Sequence, residues 1–292
     1  SISAQSGNGV TVTIPAGQAS VNVNFAALDE VDAEADNTLS ITLVDGAAYD
    51  LGATTSSTAT IPQNDFVVTN TNDSGDGSLR QAILNHAAAN NVIHTITFAA
   101  SANGTITLQS RLPQLDVYDG ATLTISGNGP GSTIIDGNNQ WQVFYIYFGS
   151  ITIENLTITR GSDVNSGASG GGAVFVTAEV TLNNCVMSDN VTTGFGGGAI
   201  ASSSGTVTTI NNCTFTGNSS SSRGGAIRNA GTMSITSSTF SGNSSPNESA
   251  IYNSLGTLTI THSTIAGNTG AAAFGTAGSA TTNMGHTILA GN

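Results

Sequence analysis

Lysine is absent from this 292-residue sequence. Its positive charge rests on Arg80, Arg111, Arg160, Arg223 and Arg228, against 18 acidic residues, for a formal net charge of −13. A chain so charged repels a phosphate backbone, which argues against nucleic acid as a partner. Charge of either sign is scarce at 8% of residues, about a third of the usual share. Solubility therefore has to come from Ser, Thr, Asn and exposed backbone. No apolar run nears the length needed to span a bilayer, and no charged-then-apolar leader opens the sequence. Cysteine is limited to Cys185 and Cys213, too few for a disulfide framework. No helical repeat pattern is present, which excludes leucine-rich and ankyrin arrays.

What is present changes character near residue 65. Residues 1–65 hold eight of the acidic residues and no arginine. Val10, Val12 and Ile14 alternate with polar residues, as do Val21, Val23 and Phe25, and later Leu39, Ile41 and Leu43. Period-two runs separated by Pro15-Ala16-Gly17 and by an acidic bend predict a small antiparallel β-sandwich. The segments VTIPAGQAS, LDEVDAEADNTLSITL and IPQND resemble the later strands of a Calx-β motif, over most of residues 1–65, with the opening strands missing. Asp29, Glu30, Asp32 and Glu34, with Asp36, supply the oxygen ligands that calcium takes. Some Calx-β members bind calcium, so the resemblance implies a calcium site there; a solvated acidic turn is the alternative.

From Gly170 onward the chain repeats itself. GGGAV, GGGAI, GGAI, ESAI and AAAF open successive units, and their alanines, Ala173, Ala199, Ala226, Ala250 and Ala273, recur every 23 to 27 residues. The units close on Asn190, Asn218, Asn243, Asn268 and Asn292. Aligned by these asparagines, Leu182, Ile210, Ile235, Ile260 and Met284 form one apolar column. Met187, Phe215, Phe240, Ile265 and Leu289 form another, with Ile153 and Ile158 continuing the two below. Polar residues flank most members. Such columns predict a right-handed parallel β-helix over residues 66–292, each coil stacked about 4.8 Å from the next. At about 24 residues per coil it would be roughly 45 Å long. Glycine before Ala173, Ala199 and Ala226 predicts a corner with positive φ, the closing asparagine a left-handed turn, and the asparagine column an amide ladder. Cys185 falls under Cys213, between Leu156 and Ser238. Parallel Cβ vectors favour two free thiols, acting as small apolar residues, over a disulfide between coils.

Residues 66–100 read as a capping segment. Ser78 is a suitable N-cap, with Gln81 completing a capping box and Leu79, Ala82, Ile83 and Ala87 forming an apolar stripe. A helix lying across the first coil would protect its open edge. The opening VVTNTNDSGDGSLRQAI, with the GGAI and FSGN repeats, resembles bacterial surface β-helix proteins, including the polymorphic outer-membrane-protein adhesins. The resemblance runs from Phe66 to Asn292. It implies an all-β extracellular or cell-surface protein acting as adhesin, sheath or filament element. Pectin lyases and tailspike-type hydrolases share the fold, so a polysaccharide-active enzyme and a glycan-binding module are the alternative readings.

Glycoside hydrolysis needs two carboxyls at a set separation, yet no aligned column of the repeats holds two acids. Asp189 stands over Gly217, Gly242 and Gly267, and Glu154 is followed by Asn183 and Asn211. Asp116, Asp119 and Asp136 resist alignment and read either as turn residues or as a cluster. His262 and His286 share an outward column with Asn184, Asn212 and Ser237; two imidazoles without a third ligand make a poor metal site. The outward columns mix Ser, Asn and Thr, against an ice-binding threonine array. No catalytic residue is assigned, and calcium is the one cofactor considered. The partial sandwich and the final coil both present open edges, which predicts self-association or attachment to neighbouring domains of a longer chain. Surface glycans are the other partner expected.

Overall fold

The computed structural model describes residues 37–42, 56–61, 66–89, 93–118, 120–163 and 170–292. The chain forms two units. In the first, β1 (Asn37–Thr42) pairs antiparallel with β2 (Ser56–Ile61), Leu39 opposite Ala59 and Ile41 opposite Ser57. This is the part of the expected sandwich that falls within the described residues.

The second unit is a parallel β-solenoid of about eight coils. Each coil contributes a strand to each of three parallel sheets, here A, B and C, which hold nine, eight and seven strands. The coil containing Cys185 shows the plan: Glu179–Asn183 in sheet A, Val186–Ser188 in sheet B, then Ile200–Ser202 in sheet C. Early coils are longer than the repeats predict. Sheet A strands starting at His94, Thr122, Ser150, Glu179 and Val207 are spaced 28 or 29 residues apart.

Both aligned columns are real. Ile153, Leu182, Ile210, Ile235, Ile260 and Met284 stack in register in sheet A. Ile158, Met187, Phe215, Phe240, Ile265 and Leu289 do so in sheet B. Phe215 and Phe240 are fully buried, their rings parallel at 4.6 Å between centroids. Alternation explains the burial: in Thr257–Thr261, Leu258 and Ile260 are buried and the threonines lie on the other face. That is the half-buried pattern of a strand with one face on a core.

Two corners shape each coil, a short turn from sheet A to sheet B and a second that leaves sheet B into a longer excursion before sheet C, and a left-handed residue stands at both. Between sheets A and B, Asn155, Asn184, Asn212, Ser237, His262 and His286 are left-handed, with φ between 50° and 57°. Between sheets B and C the left-handed residues are Arg160, Asp189, Gly217, Gly242, Gly267 and Gly291. The closing asparagines were expected to take that conformation themselves. Instead each follows the left-handed residue, and its amide points inward to form the ladder. Asn190, Asn218 and Asn243 each donate from both backbone N and Nδ2 to the Oδ1 of the next asparagine, at 2.8 to 3.1 Å. The second Nδ2 hydrogen goes to a carbonyl one coil below, such as Phe215 O at 3.0 Å for Asn243.

The glycines before the repeat alanines also have a different cause from the one expected. Gly172, Gly198 and Gly225 are not left-handed; a Cβ on Gly172 would strike the carbonyls of Gly198, Val191 and Gly161. Backbones of adjacent coils approach too closely there for any side chain.

At the start of the coil lies β3 (Val67–Val68), followed by α1 (Leu79–Ala88) and β4 (His94–Phe98). Ser78 caps α1 by accepting from Gln81 N at 3.1 Å. The helix packs on β3, β4 and the first sheet C strand, Leu115–Asp116, and buries Leu79, Ala82 and Ile83. Ala87 is exposed and His86 takes its place in the stripe. Positions 79, 82, 83 and 86 keep the spacing of one helical face, and His86 is held there by a 2.8 Å hydrogen bond between its Nδ1 and that of His94. No helix among the described residues is long and apolar enough to cross a membrane.

Candidate ligand face on sheet C

The outward column of sheet C begins with two aromatic rings. Tyr145, Phe175, Ala201, Arg228, Tyr252 and Gly275 occupy successive coils, each one residue after an inward Phe144, Val174, Ile200, Ile227, Ile251 or Phe274. Tyr145 and Phe175 stack at 5.4 Å. Beside them Tyr118 and Phe148 stack at 5.0 Å and, with Tyr147, are exposed. Four of the five tyrosines of the chain thus lie on or next to this face.

Charge gathers further along the same column. The Arg223 guanidinium lies over the Tyr252 ring at 4.8 Å from its centroid and 3.6 Å from Glu248 Oε1. Glu248 starts the strand that carries Tyr252, and its side chain occupies the space that a Cβ on Gly275 would need. Its Oε2 is buried with no hydrogen-bond partner among the described residues. Half-buried Arg228 has neither an ion pair nor a hydrogen bond from its side chain among the described residues. Burial lowers its pKa, partly countered by Tyr252.

Other ionisable groups are engaged one at a time. Asp136, fully buried, pairs with the Arg160 guanidinium through both carboxylate oxygens and accepts from Asn138 N at 2.8 Å. Glu154 accepts from Ser126 Oγ at 2.8 Å, and Arg80 binds Asp73 at 2.8 Å. Asp116 ends a sheet C strand and accepts from Gln114 at 2.7 Å, whereas Asp136 ends a sheet B strand. The two are therefore on different sheets, while Asp119 lies outside the described residues. So do Asp29, Glu30, Asp32, Glu34 and Asp36. His262 and His286 stack in parallel at 4.9 Å in the left-handed turn column. Among the described residues no three His, Cys, Asp or Glu side chains gather closely enough to hold a metal ion.

Cys185 and Cys213 are free and buried, but they are more than small apolar residues. Each donates its thiol to the carbonyl two residues back, Asn183 O at 3.3 Å and Asn211 O at 3.2 Å. Ser238 and Ser263, next in the column, do the same with hydroxyls at 2.9 and 2.8 Å. Cys213 Sγ, Ser238 Oγ and Ser263 Oγ also accept from the backbone N of the column residue one coil below. The column is a hydrogen-bonded ladder in which thiol and hydroxyl are interchangeable. The bond with Cys213, then burial, pushes the Cys185 thiol far above its ordinary range, so it stays protonated at neutral pH.

Three parallel sheets wound as one coil, with an asparagine ladder at a turn, define a right-handed parallel β-helix. The right-handed β-helix region family matches residues 143–292, and the chain belongs to that family. Its members include surface proteins and polysaccharide-active enzymes alike. No curated protein and no solved structure matches the chain.

Proposed function

We propose that this chain is a non-catalytic segment of an extracellular surface protein, an adhesin, sheath or filament element that presents the outer face of its β-helix to glycans. The observation that carries this reading is where the polar side chains go. Amide, hydroxyl and thiol groups are used coil after coil to hydrogen-bond one coil to the next. Two carboxylates buried in the coils are engaged rather than held ready for proton transfer: Asp136 by the Arg160 guanidinium, and Asp163 by Thr192 Oγ1, which donates to it at 2.6 Å. The Calx-β-like segment and the adhesin-like repeats support a place in a longer, repeat-built surface polypeptide, and the acidic bend at Asp29, Glu30, Asp32 and Glu34 supports calcium as its stabilising ion. Antibody labelling of intact cells that make the protein tests the location. Labelling before permeabilisation, removed by external protease, is expected; labelling only after lysis would overturn the reading.

A further inference from the structure

Of the five arginines, Arg80 and Arg160 are fixed in ion pairs with Asp73 and Asp136. Arg223 pairs with Glu248 at 3.6 Å, Arg228 has no ion pair among the described residues, and both stand at Tyr252. Arg228 is one coil below it in the outward column, and Arg223 lies over its ring. Glu248 completes the group, with one oxygen near Arg223 and the other buried and unsatisfied. A buried carboxylate oxygen without a partner is costly to leave so, and the half-buried Arg228 guanidinium keeps its donors free on the solvent side. Asp116 Oδ1 and Thr208 Oγ1 are buried without partners as well, but among the described residues it is at Glu248 that such an oxygen stands in a group with two guanidinium groups and an aromatic ring.

The donor and acceptor pattern narrows the class. An amine would meet two guanidinium groups, and a polyanion would meet Glu248 on a chain of net charge −13. A hydroxyl can accept from an arginine and donate to a carboxylate at once, and neighbouring hydroxyls on a sugar ring do so in both directions. The coil spacing of about 4.8 Å is also close to the advance per residue of an extended polysaccharide.

We propose that Arg223, Arg228, Glu248 and Tyr252 form a binding site for a neutral saccharide on the outer face of sheet C. The choice of a glycan rests on the surface-protein reading above; the location of the site does not. Glu248 accepts hydrogen bonds from the sugar hydroxyls through Oε1, the oxygen that faces Arg223, Arg228 donates to the hydroxyl oxygens, and Tyr252 holds Arg223 in place beside them. The aromatic residues at Tyr145 and Phe175 lie farther along the same face, where a longer glycan would continue.

The test uses the whole chain on immobilised neutral and uronate-containing oligosaccharides, with Arg228→Gln, Glu248→Gln and Tyr252→Leu beside a sheet B control, Thr216→Ala. Circular dichroism confirms folding of each variant, and the conservative Arg228→Lys guards against a misfolded Gln variant. Retention on neutral sugars, at least tenfold weaker in the three sheet C variants and unchanged in the control, is the expected result. Retention that ignores the sheet C substitutions would overturn the site while leaving the surface reading intact. Retention on uronates alone would overturn the ligand class, and the absence of any retention would overturn the proposal as a whole. Cleavage of the sugars would instead overturn the non-catalytic reading.

Discussion

Replacing Asn243 by alanine should cost this protein more than any change on its surface. The residue is fully buried in the turn between sheets B and C. Its Oδ1 accepts from Asn218 N at 3.1 Å and from Asn218 Nδ2 at 2.9 Å. Its own Nδ2 donates to Asn268 Oδ1 at 2.8 Å and to Phe215 O at 3.0 Å. Asn243→Ala removes all four bonds. Asn268 Oδ1 keeps a donor in the backbone N of residue 243, and Asn218 Nδ2 keeps its bond to Met187 O. Asn218 N and Phe215 O are left without those partners in a closed interior. Stranded buried groups of this kind cost about 1–3 kcal/mol each, so the loss from the two should be about 2–6 kcal/mol. Asn247 gives the comparison: its exposed side chain donates to Ser222 O at 2.9 Å, and its removal should cost about 0.5 kcal/mol or less. Urea unfolding followed by far-ultraviolet circular dichroism measures both. A loss under about 1 kcal/mol for Asn243→Ala would refute the idea that the ladder consists of desolvated hydrogen bonds rather than amides aligned by the coil.

Three further outcomes follow from other parts of the fold. Cys213→Ser should change stability by less than about 1 kcal/mol, whereas Cys213→Val should cost about 1–3 kcal/mol by stranding Cys185 N; equal losses in the same unfolding assay would contradict the ladder. Burial, and for His86 also the His94 charge, lowers the pKa of both imidazoles at the cap, while a bond to the Asp116 backbone partly restores that of His86. Folded values below the ordinary one of about 6.5 mean that their stabilisation is complete above that pH and is lost as pH falls through the folded values. Hydrogen exchange in α1 should therefore speed up in acid before that of the central strands, and uniform exchange would count against it. Millimolar calcium should raise the melting temperature if Asp29, Glu30, Asp32 and Glu34 hold the ion, with reversal by chelator, because binding to the native state adds stability; an unchanged transition would exclude a stabilising site.

Much of the second unit is written openly in the sequence because each coil repeats the same burial problem. Phe215 and Phe240 announce their column, as do the asparagines, since sheets A and B are joined by turns of near-constant length. The thiol ladder was hidden by chemistry. Cys185 and Cys213 read as apolar until Ser238 and Ser263 are seen making the same bonds. The Gly172 family was hidden by distance, for a clash with another coil leaves no local mark. The cluster at Tyr252 was within reach, because Arg228 and Tyr252 both stand two residues after a repeat alanine. Aligning by the asparagines alone passed over it: the excursions between sheets B and C vary in length, and the sheet C register shifts between Glu248 and Ile251.

The central claim, a surface β-helix that holds glycans without cutting them, is met most directly by one measurement. The purified chain is incubated with a panel of neutral and acidic polysaccharides, and retention is recorded alongside product size and new reducing or unsaturated ends. Retention with every polysaccharide left at its original length is the predicted result. Shortened chains or new ends, abolished by a substitution in the protein, would contradict it.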